Sequence, residues 1–235
     1  MPLLYKKPQF VNAERHAKAG VRESADFGFA RDTNSVPLGA DEVFYMQAYC
    51  PVVFTMSDPA LPVAVLGVGA NTNSFVEADG RWRAGVPIPA YIRRYPFIAA
   101  VEPTAQRIHL AIDEAAANFV MQGGRPLFEK GAPSELANAA LRFCAAFQQQ
   151  LDLARSIGEA VAAAGLLAAR RVEIRSADGQ NLSLDGFRVI DEAKFNALSD
   201  ETFLAWRKSN WLGVIYAQLL SMRRWEVFAS VPPRT

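Results

Sequence analysis

The sequence predicts an α+β fold, in which a bent antiparallel sheet in the N-terminal half packs against a long helix and C-terminal helices. Three observations support this prediction. Short apolar runs separated by turn residues dominate residues 41–112. After residue 134, apolar residues recur at three- and four-residue steps, which is typical of a helix face. Further short β-type runs and helix-start patterns follow toward the C-terminus.

The strand-rich part is expected to cover about residues 1–130. Its candidate strands are residues 52–56, 62–67, 73–76, 98–101 and 108–112. The nearly continuous apolar runs among them are typical of strands covered on both faces. Asp79-Gly80 stands just before Trp82 and predicts a tight hairpin connection. We therefore expect about five strands, a common size for a sheet.

The helix-rich part is expected to cover about residues 131–235 and opens with a helix of roughly eight turns. Ser134 is a suitable N-cap and Gly165 a suitable residue for the left-handed position after the helix end. Strands are predicted at 171–174 and 182–189, and helices after Ser199 and again toward the C-terminus. No linker or repeat interrupts this order, so we predict a single domain over residues 1–235.

The composition is that of an ordinary globular protein, with 51% hydrophobic and 21% charged residues. A chain of 235 residues can bury a core without disulfides or metals. The formal net charge of +1 provides no long-range field to gather nucleic acid. We therefore expect no nucleic-acid partner.

The sequence shows neither a targeting or membrane-spanning segment nor a cysteine motif. The first residues lack the long apolar stretch of a signal peptide, and the apolar runs 60–70 and 160–169 are too short to span a bilayer. Cys50 and Cys144 lie far apart and outside any CxxC, so we interpret both as buried hydrophobes. These features predict a cytoplasmic protein with no transmembrane segment.

The densest concentration of recognition chemistry is residues 81–97, RWRAGVPIPAYIRRYPF. Arginine forks bind carboxylate or phosphate groups and stack on aromatic rings, while prolines fix the backbone that presents them. The predicted ligand-binding residues are Arg81, Trp82, Tyr91, Arg93, Arg94 and Tyr95. In the alternative interpretation, the arginines pair with structural carboxylates and the rings fill a core.

No catalytic or metal-binding motif is present. His16 and His109 are the only histidines, and neither belongs to an HExxH or HxE pattern. Gly67-Val68-Gly69 lacks the rest of a dinucleotide fingerprint, and Asp191-Glu192 fits a helix start. We predict no cofactor and no metal site. An enzyme would require His16, His109 or an acid such as Asp32 to converge in a pocket.

Several segments of the chain together form a recognisable pattern. The most specific is Ile88 to Phe97 (IPAYIRRYPF). Supporting pieces are Glu14-Arg15-His16, Phe29 to Asn34, Tyr49 to Phe54, Asp79 to Trp82, Pro126 to Phe128, Val189 to Glu192 and Ile215 to Ser221. These segments cover nearly the whole chain in order, and together they resemble the SapC family of proteobacterial proteins. The family often has His where this chain has Gln218.

The resemblance implies a biological system and partner proteins, but no catalytic mechanism. The family is named from a surface-layer locus, which implies an accessory role in a surface-layer or outer-membrane-associated system. Its members sit near genes for cupin-like oxygenases, flavin-dependent halogenase-like proteins and TonB-dependent receptors. No catalytic residues carry over from the family to this sequence.

The leading hypothesis is a non-catalytic binding or accessory protein that recognises a protein, a peptide or a small anionic ligand. The second is an enzyme or enzyme subunit that works with a cupin-like oxygenase or a flavin-dependent halogenase-like partner. The third is a surface-layer component, which would assemble into ordered arrays. Whether the protein is an enzyme and which oligomer it forms stay open at the level of the sequence.

Overall fold

The structure is a computed structural model that describes residues 2–101, 108–175, 179 and 181–229. Its helices are α1 (Ala13–His16), α2 (Val43–Met46), α3 (Ala90–Arg93), α4 (Glu135–Ala163), α5 (Glu192–Asn196), α6 (Asp200–Lys208) and α7 (Leu212–Ser221). Two 3-10 segments, Gly28–Ala30 and Met222–Phe228, complete the helical elements of the described residues.

The strands, in chain order, are β1 (Pro8–Phe10), β2 (Gly20–Val21), β3 (Ser35–Pro37), β4 (Val52–Thr55), β5 (Pro62–Val65), β6 (Phe97–Val101), β7 (Ile108–Asp113), β8 (Phe119–Val120), β9 (Arg125–Pro126), β10 (Phe128–Glu129), β11 (Ala132–Pro133), β12 (Leu167–Arg175) and β13 (Asn181–Ile190). All strand pairs are antiparallel. The combination of antiparallel sheets, the long α4 and C-terminal helices confirms the α+β prediction.

The largest sheet has five strands in the order β12-β13-β4-β5-β3. In its register Val53 of β4 faces Val63 of β5, and Phe54 faces Arg188 of β13. Strands from both halves of the chain therefore share one sheet. The remaining strands form the sheets β1-β7-β6 and β8-β2-β9 and the hairpin β10-β11.

The predicted strand at residues 73–76 is wrong. This stretch makes only an isolated bridge between Val76 and Trp82. Asn73 is fully buried, donates from Nδ2 to the Ala30 carbonyl at 3.0 Å and accepts from the Phe75 amide at 2.9 Å. Its side chain thus takes a backbone hydrogen bond that a strand ladder would otherwise use.

Helix α4 follows the predicted pattern closely. Ser134 Oγ accepts from the Ala137 amide at 3.2 Å, and Gly165 after the helix end has φ +70°. A side chain at Gly158 would place its Cβ 1.8 Å from the Ala60 carbonyl oxygen, so this glycine lets the helix approach the chain between β4 and β5. Among the described residues no helix is long and apolar enough to cross a membrane.

Helix α7 is fastened to the five-stranded sheet by buried polar side chains. Gln218 donates from Nε2 to the Val52 carbonyl at 3.1 Å and accepts from the Ile190 amide at 3.3 Å. Ser221 Oγ accepts from the Val52 amide at 2.9 Å. The side-chain amide of Gln218 therefore joins α7, β4 and β13.

Candidate functional site

Helix α3 and the two residues that follow it carry four of the six predicted ligand-binding residues, and a buried carboxylate fixes the first turn of this helix. Glu42 is 2% exposed, and its Oε1 accepts from the Ala90 amide at 2.6 Å. The same carboxylate accepts from the Gly39 amide and the Tyr45 hydroxyl, each at 3.0 Å. Burial raises the pKa of the Glu42 carboxyl, and these donors oppose part of that rise. Glu42 therefore fixes the position of the N-terminus of α3 through the Ala90 amide.

Two predicted residues, Tyr91 and Arg94, point into the protein. Both are at most 6% exposed. The guanidinium carbon of Arg94 lies 4.1 Å from the centre of the Tyr91 ring and 5.1 Å from that of Phe147. The Tyr91 hydroxyl donates to the Leu3 carbonyl at 2.9 Å. These side chains are engaged in internal contacts.

Two others, Arg81 and Trp82, belong to the turn that Asp79-Gly80 forms. The Arg81 side chain is 76% exposed and its Nε lies 2.9 Å from Asp79 Oδ2. Trp82 stacks on Phe75, with ring centres 5.9 Å apart, and meets Phe27 edge-on at 6.0 Å. Trp82 thus supports the neighbouring aromatic wall, whereas Arg81 stands on the surface.

The last two predicted residues, Arg93 and Tyr95, line a cavity of about 360 Å³, which we call the aromatic cavity. Its lining residues are Ser24, Asp26, Phe27, Phe29, Ile92, Arg93, Tyr95, Ala117 and Asn118. The rings of Phe29 and Tyr95 stack at 4.1 Å with an interplanar angle of 22°. Such a wall suits a flat apolar or aromatic group.

The Tyr95 hydroxyl is held on the far side of that wall. It donates to Asp113 Oδ2 at 3.2 Å, and Asp113 is fully buried. Burial raises the pKa of the Tyr95 hydroxyl, and the Asp113 carboxylate raises it further. Tyr95 is therefore a neutral hydrogen-bond donor, and its hydroxyl is already engaged by Asp113.

The polar rim of the aromatic cavity was not predicted from the sequence. Asp26 is exposed, and its Oδ1 accepts from the Gly28 amide at 2.7 Å. A Cβ at Gly80, which has φ +87°, would lie 2.3 Å from the same oxygen, so the turn closes on Asp26. Asp26, Phe27 and Phe29 occur together in the sequence, but none of them is among the predicted ligand-binding residues.

A second cavity of about 200 Å³, which we call the polar cavity, adjoins the other side of Arg93. It is lined by Asp41, Glu42, Tyr45, Ala90, Arg93, Phe143, Ala146, Phe147, Gln149 and Gln150. The guanidinium carbon of Arg93 lies 5.0 Å from the centre of the Phe143 ring. Arg93 is exposed, and within the described residues no carboxylate lies within 4.0 Å of its guanidinium.

A third cavity, of about 250 Å³, lies on the five-stranded sheet and is mostly apolar. It includes Val53, Val65 and Phe187 but none of the predicted ligand-binding residues. The candidate site therefore consists of the aromatic and polar cavities, which share Arg93.

The side chains that an enzyme hypothesis would use stand elsewhere. His16 is fully buried, with Nδ1 accepting from the Asn12 amide at 3.2 Å and Nε2 3.4 Å from Glu114 Oε1. Burial lowers the pKa of the His16 imidazole. Neither His16, His109 nor Asp32 lines any of the three cavities. In the part of the chain that the structure describes, no three His, Cys, Asp or Glu side chains are grouped to hold a metal ion.

Comparison with known proteins gives one match. The family model SapC matches residues 11–227 of the 235-residue chain. No curated protein and no solved structure matches the chain. The match includes α3, both cavities that border Arg93 and the sheet that α7 covers.

Proposed function

The chain belongs to the SapC family, and we propose that it is a non-catalytic binding or accessory protein that recognises an anionic peptide segment. The supporting observation is Arg93, an exposed guanidinium without a carboxylate partner in the described residues, which lines two cavities at once. Guanidinium groups bind carboxylates through paired, charge-assisted hydrogen bonds. The system that this binding serves, in our proposal, is associated with a surface layer or outer membrane.

The two cavities favour an extended peptide over a compact anion. The aromatic cavity offers a stacked ring wall and the polar cavity offers the side-chain amides of Gln149 and Gln150. A peptide lying across Arg93 would place an aromatic or apolar side chain in the first and a polar one in the second. The proposed contacts are thus Arg93 and Tyr95, a narrower set than the six predicted residues.

The test uses acetylated hexapeptide amides in which an aromatic residue precedes a glutamate, paired with the same peptides carrying glutamine. Binding is measured by fluorescence anisotropy to wild type, Arg93→Gln and Arg81→Gln. Because a hydrogen bond to a charged group contributes about 1.5–3 kcal/mol, Arg93→Gln should weaken binding of the glutamate peptides roughly 10- to 100-fold.

Arg81→Gln is the matched control, since Arg81 belongs to the same arginine-rich segment but pairs with Asp79 at the surface. It should bind the glutamate peptides as wild type does. If no peptide prefers glutamate to glutamine, or if the preference survives Arg93→Gln, the proposed function is wrong.

A further inference from the structure

Arg94, the residue that follows α3, is a buried cation that lacks an anionic partner in the described part of the chain. The residue is 6% exposed, and among the described residues no carboxylate lies within 4.0 Å of its guanidinium. Its Nε is buried without a hydrogen-bond partner. Burying a charge is costly unless the group is paired and hydrogen-bonded. The buried carboxylates Glu42 and Asp113, in contrast, each accept hydrogen bonds from several donors.

Aromatic rings supply the surroundings of this guanidinium. Besides Tyr91 and Phe147, the ring of Tyr5 lies 5.6 Å from the guanidinium carbon. Cation–π contacts of this kind contribute about 2 kcal/mol when desolvated, but ring faces satisfy few of the five N–H donors of arginine. The site retains donor capacity for an oxyanion, since a carboxylate or phosphate accepts two guanidinium hydrogen bonds at once.

The cover over Arg94 is a short segment, Pro2 to Tyr5, which we call the strap. Tyr5 is 2% exposed and donates from its hydroxyl to the Phe97 carbonyl at 2.6 Å. The Leu3 carbonyl accepts from Tyr91, and the Tyr5 amide donates to the Pro2 carbonyl at 3.3 Å. Leu4 has φ +77°, a conformation that costs a non-glycine residue about 1–3 kcal/mol.

The strap is anchored just beyond Tyr5 and packs against Tyr95, a residue that lines the aromatic cavity. The Lys6 and Lys7 amides donate to the buried Asp113 carboxylate at 3.0 and 2.7 Å. The ring of Tyr5 meets that of Tyr95 edge-on at 5.4 Å. Tyr5 therefore stands between a wall of the aromatic cavity and the guanidinium of Arg94, while the chain after it is fixed.

We propose that the strap is displaceable and that Arg94 beneath it is a binding site for an oxyanion, a carboxylate or phosphate group, admitted when Tyr5 swings out. The movement is confined to Pro2–Tyr5, because the Asp113 anchor holds Lys6 and Lys7. It exposes the guanidinium, whose Nε has no hydrogen-bond partner within the described residues, releases the positive φ of Leu4 and opens the aromatic cavity toward Arg94. This site is separate from Arg93, so it does not depend on the proposed peptide contact.

The first test removes the Tyr5 side chain, which covers Arg94. Tyr5→Ala is titrated with inorganic phosphate and, separately, with acetate by isothermal titration calorimetry. We expect the variant to bind at least one of the two anions about tenfold more tightly than wild type, because the strap no longer competes for the site. Tyr5→Ala/Arg94→Gln should lose this gain, whereas Tyr5→Ala/Arg93→Gln should keep it.

A second measurement decides the matter if Tyr5→Ala does not fold. Hydrogen exchange of wild type is compared in high phosphate and in sodium chloride of equal ionic strength. The Tyr5 amide should exchange several-fold faster in phosphate, while the Lys6 and Lys7 amides stay protected. If the exchange rate of the Tyr5 amide is unchanged in phosphate, the strap is not displaced and the proposal is wrong. The proposal is also wrong if the tighter anion binding of Tyr5→Ala depends on Arg93 rather than on Arg94.

Discussion

Two pairs of adjacent, like-charged residues show how differently this protein treats the same chemistry. Arg93 and Arg94 follow each other at the end of α3, yet the first is exposed between two cavities and the second is enclosed by aromatic rings. Asp113 and Glu114 follow each other at the end of β7. Asp113 is fully buried among backbone amides, whereas Glu114 meets the exposed cations Lys7 and Arg15.

The comparison separates residues that hold the site from residues that are free to act in it. Arg94 and Asp113 fasten the strap and the ring wall from inside, through the rings of Tyr5 and Tyr91 and the hydroxyl of Tyr95. Arg93 lies over the Phe143 ring, but within the described residues it has no carboxylate partner. Arg93 is therefore a candidate contact in the folded protein as it stands, whereas Arg94 becomes one only when the strap is displaced.

The largest difference should appear between Arg94→Ala and Arg93→Ala. Arg94→Ala removes a packed side chain and desolvated cation–π contacts, so it should lower the free energy of unfolding by about 3–4 kcal/mol. Arg93→Ala removes one exposed ring contact and should cost at most about 1 kcal/mol. Urea denaturation of both variants measures the gap.

Arg94→Met sharpens this prediction because methionine fills much of the space without the charge. If packing dominates, Arg94→Met should recover more than half of the loss. Equal losses in Arg93→Ala and Arg94→Ala would contradict the division between an internal and a free arginine. The large effect expected for Arg94 also means that a joint Arg93/Arg94 replacement would not report on binding alone.

Much of the fold was predictable because it follows from local patterns. The three- and four-residue apolar steps, Ser134 and Gly165 were enough to place α4. Strands β12 and β13 were found at nearly the right positions. Their pairing with β4 was not predicted, because no local signal records which distant strands meet. The predicted strand at residues 73–76 does not form because the Asn73 side chain hydrogen-bonds to the Ala30 carbonyl, a partner that only the folded chain brings near.

The residue types of the candidate site were predictable from the sequence, but the orientations of their side chains were not. Residues 81–97 do contain Arg93 and Tyr95, which border the aromatic cavity. The direction of each side chain on a helix of four residues depends on what packs against it, and Glu42, Phe147 and Tyr5 come from distant segments. Asp26 and Asn118 reach the rim only through tertiary structure.

The second prediction concerns the buried member of the acidic pair. Asp113 accepts from the amides of Lys6, Lys7 and Ala115 and from the Tyr95 hydroxyl. Asp113→Asn turns one acceptor oxygen into an NH₂ group that faces these donors, so it should cost about 2–3 kcal/mol in unfolding free energy. Chemical denaturation is the measurement, and hydrogen exchange at Lys6 and Lys7 should accelerate as well.

Exposed Asp185, on β13, is the matched control. Asp185→Asn should change stability by no more than about 0.5 kcal/mol. Should Asp113→Asn prove as mild as Asp185→Asn, the anchor of the strap would not lie at Asp113, and the strap's hinge would need to be placed elsewhere.

The smallest effect is expected at Glu114, whose side chain is 5% exposed but whose cationic partners are about half exposed, and this effect should depend on pH. Hydrogen bonds from Arg15, aided by Lys7, lower the pKa of the Glu114 carboxyl from its usual value near 4.5 to about 2. A lowered folded-state pKa stabilises the protein above pH 4.5, and this stabilisation is lost as the pH falls toward 2. Because both cations are about half exposed, Glu114→Gln should cost only about 1 kcal/mol at pH 7.

The difference in unfolding free energy between wild type and Glu114→Gln should therefore narrow between pH 4.5 and 2, since the unfolded chain protonates Glu114 near pH 4.5 and the folded protein only near pH 2. Added salt should narrow it at pH 7 too, because ions screen exposed pairs. Glu173→Gln, which breaks a more exposed ion pair with Arg171, should show almost no gap at any pH. A gap at Glu114 that persists at low pH would indicate that its role is packing against His16 rather than charge.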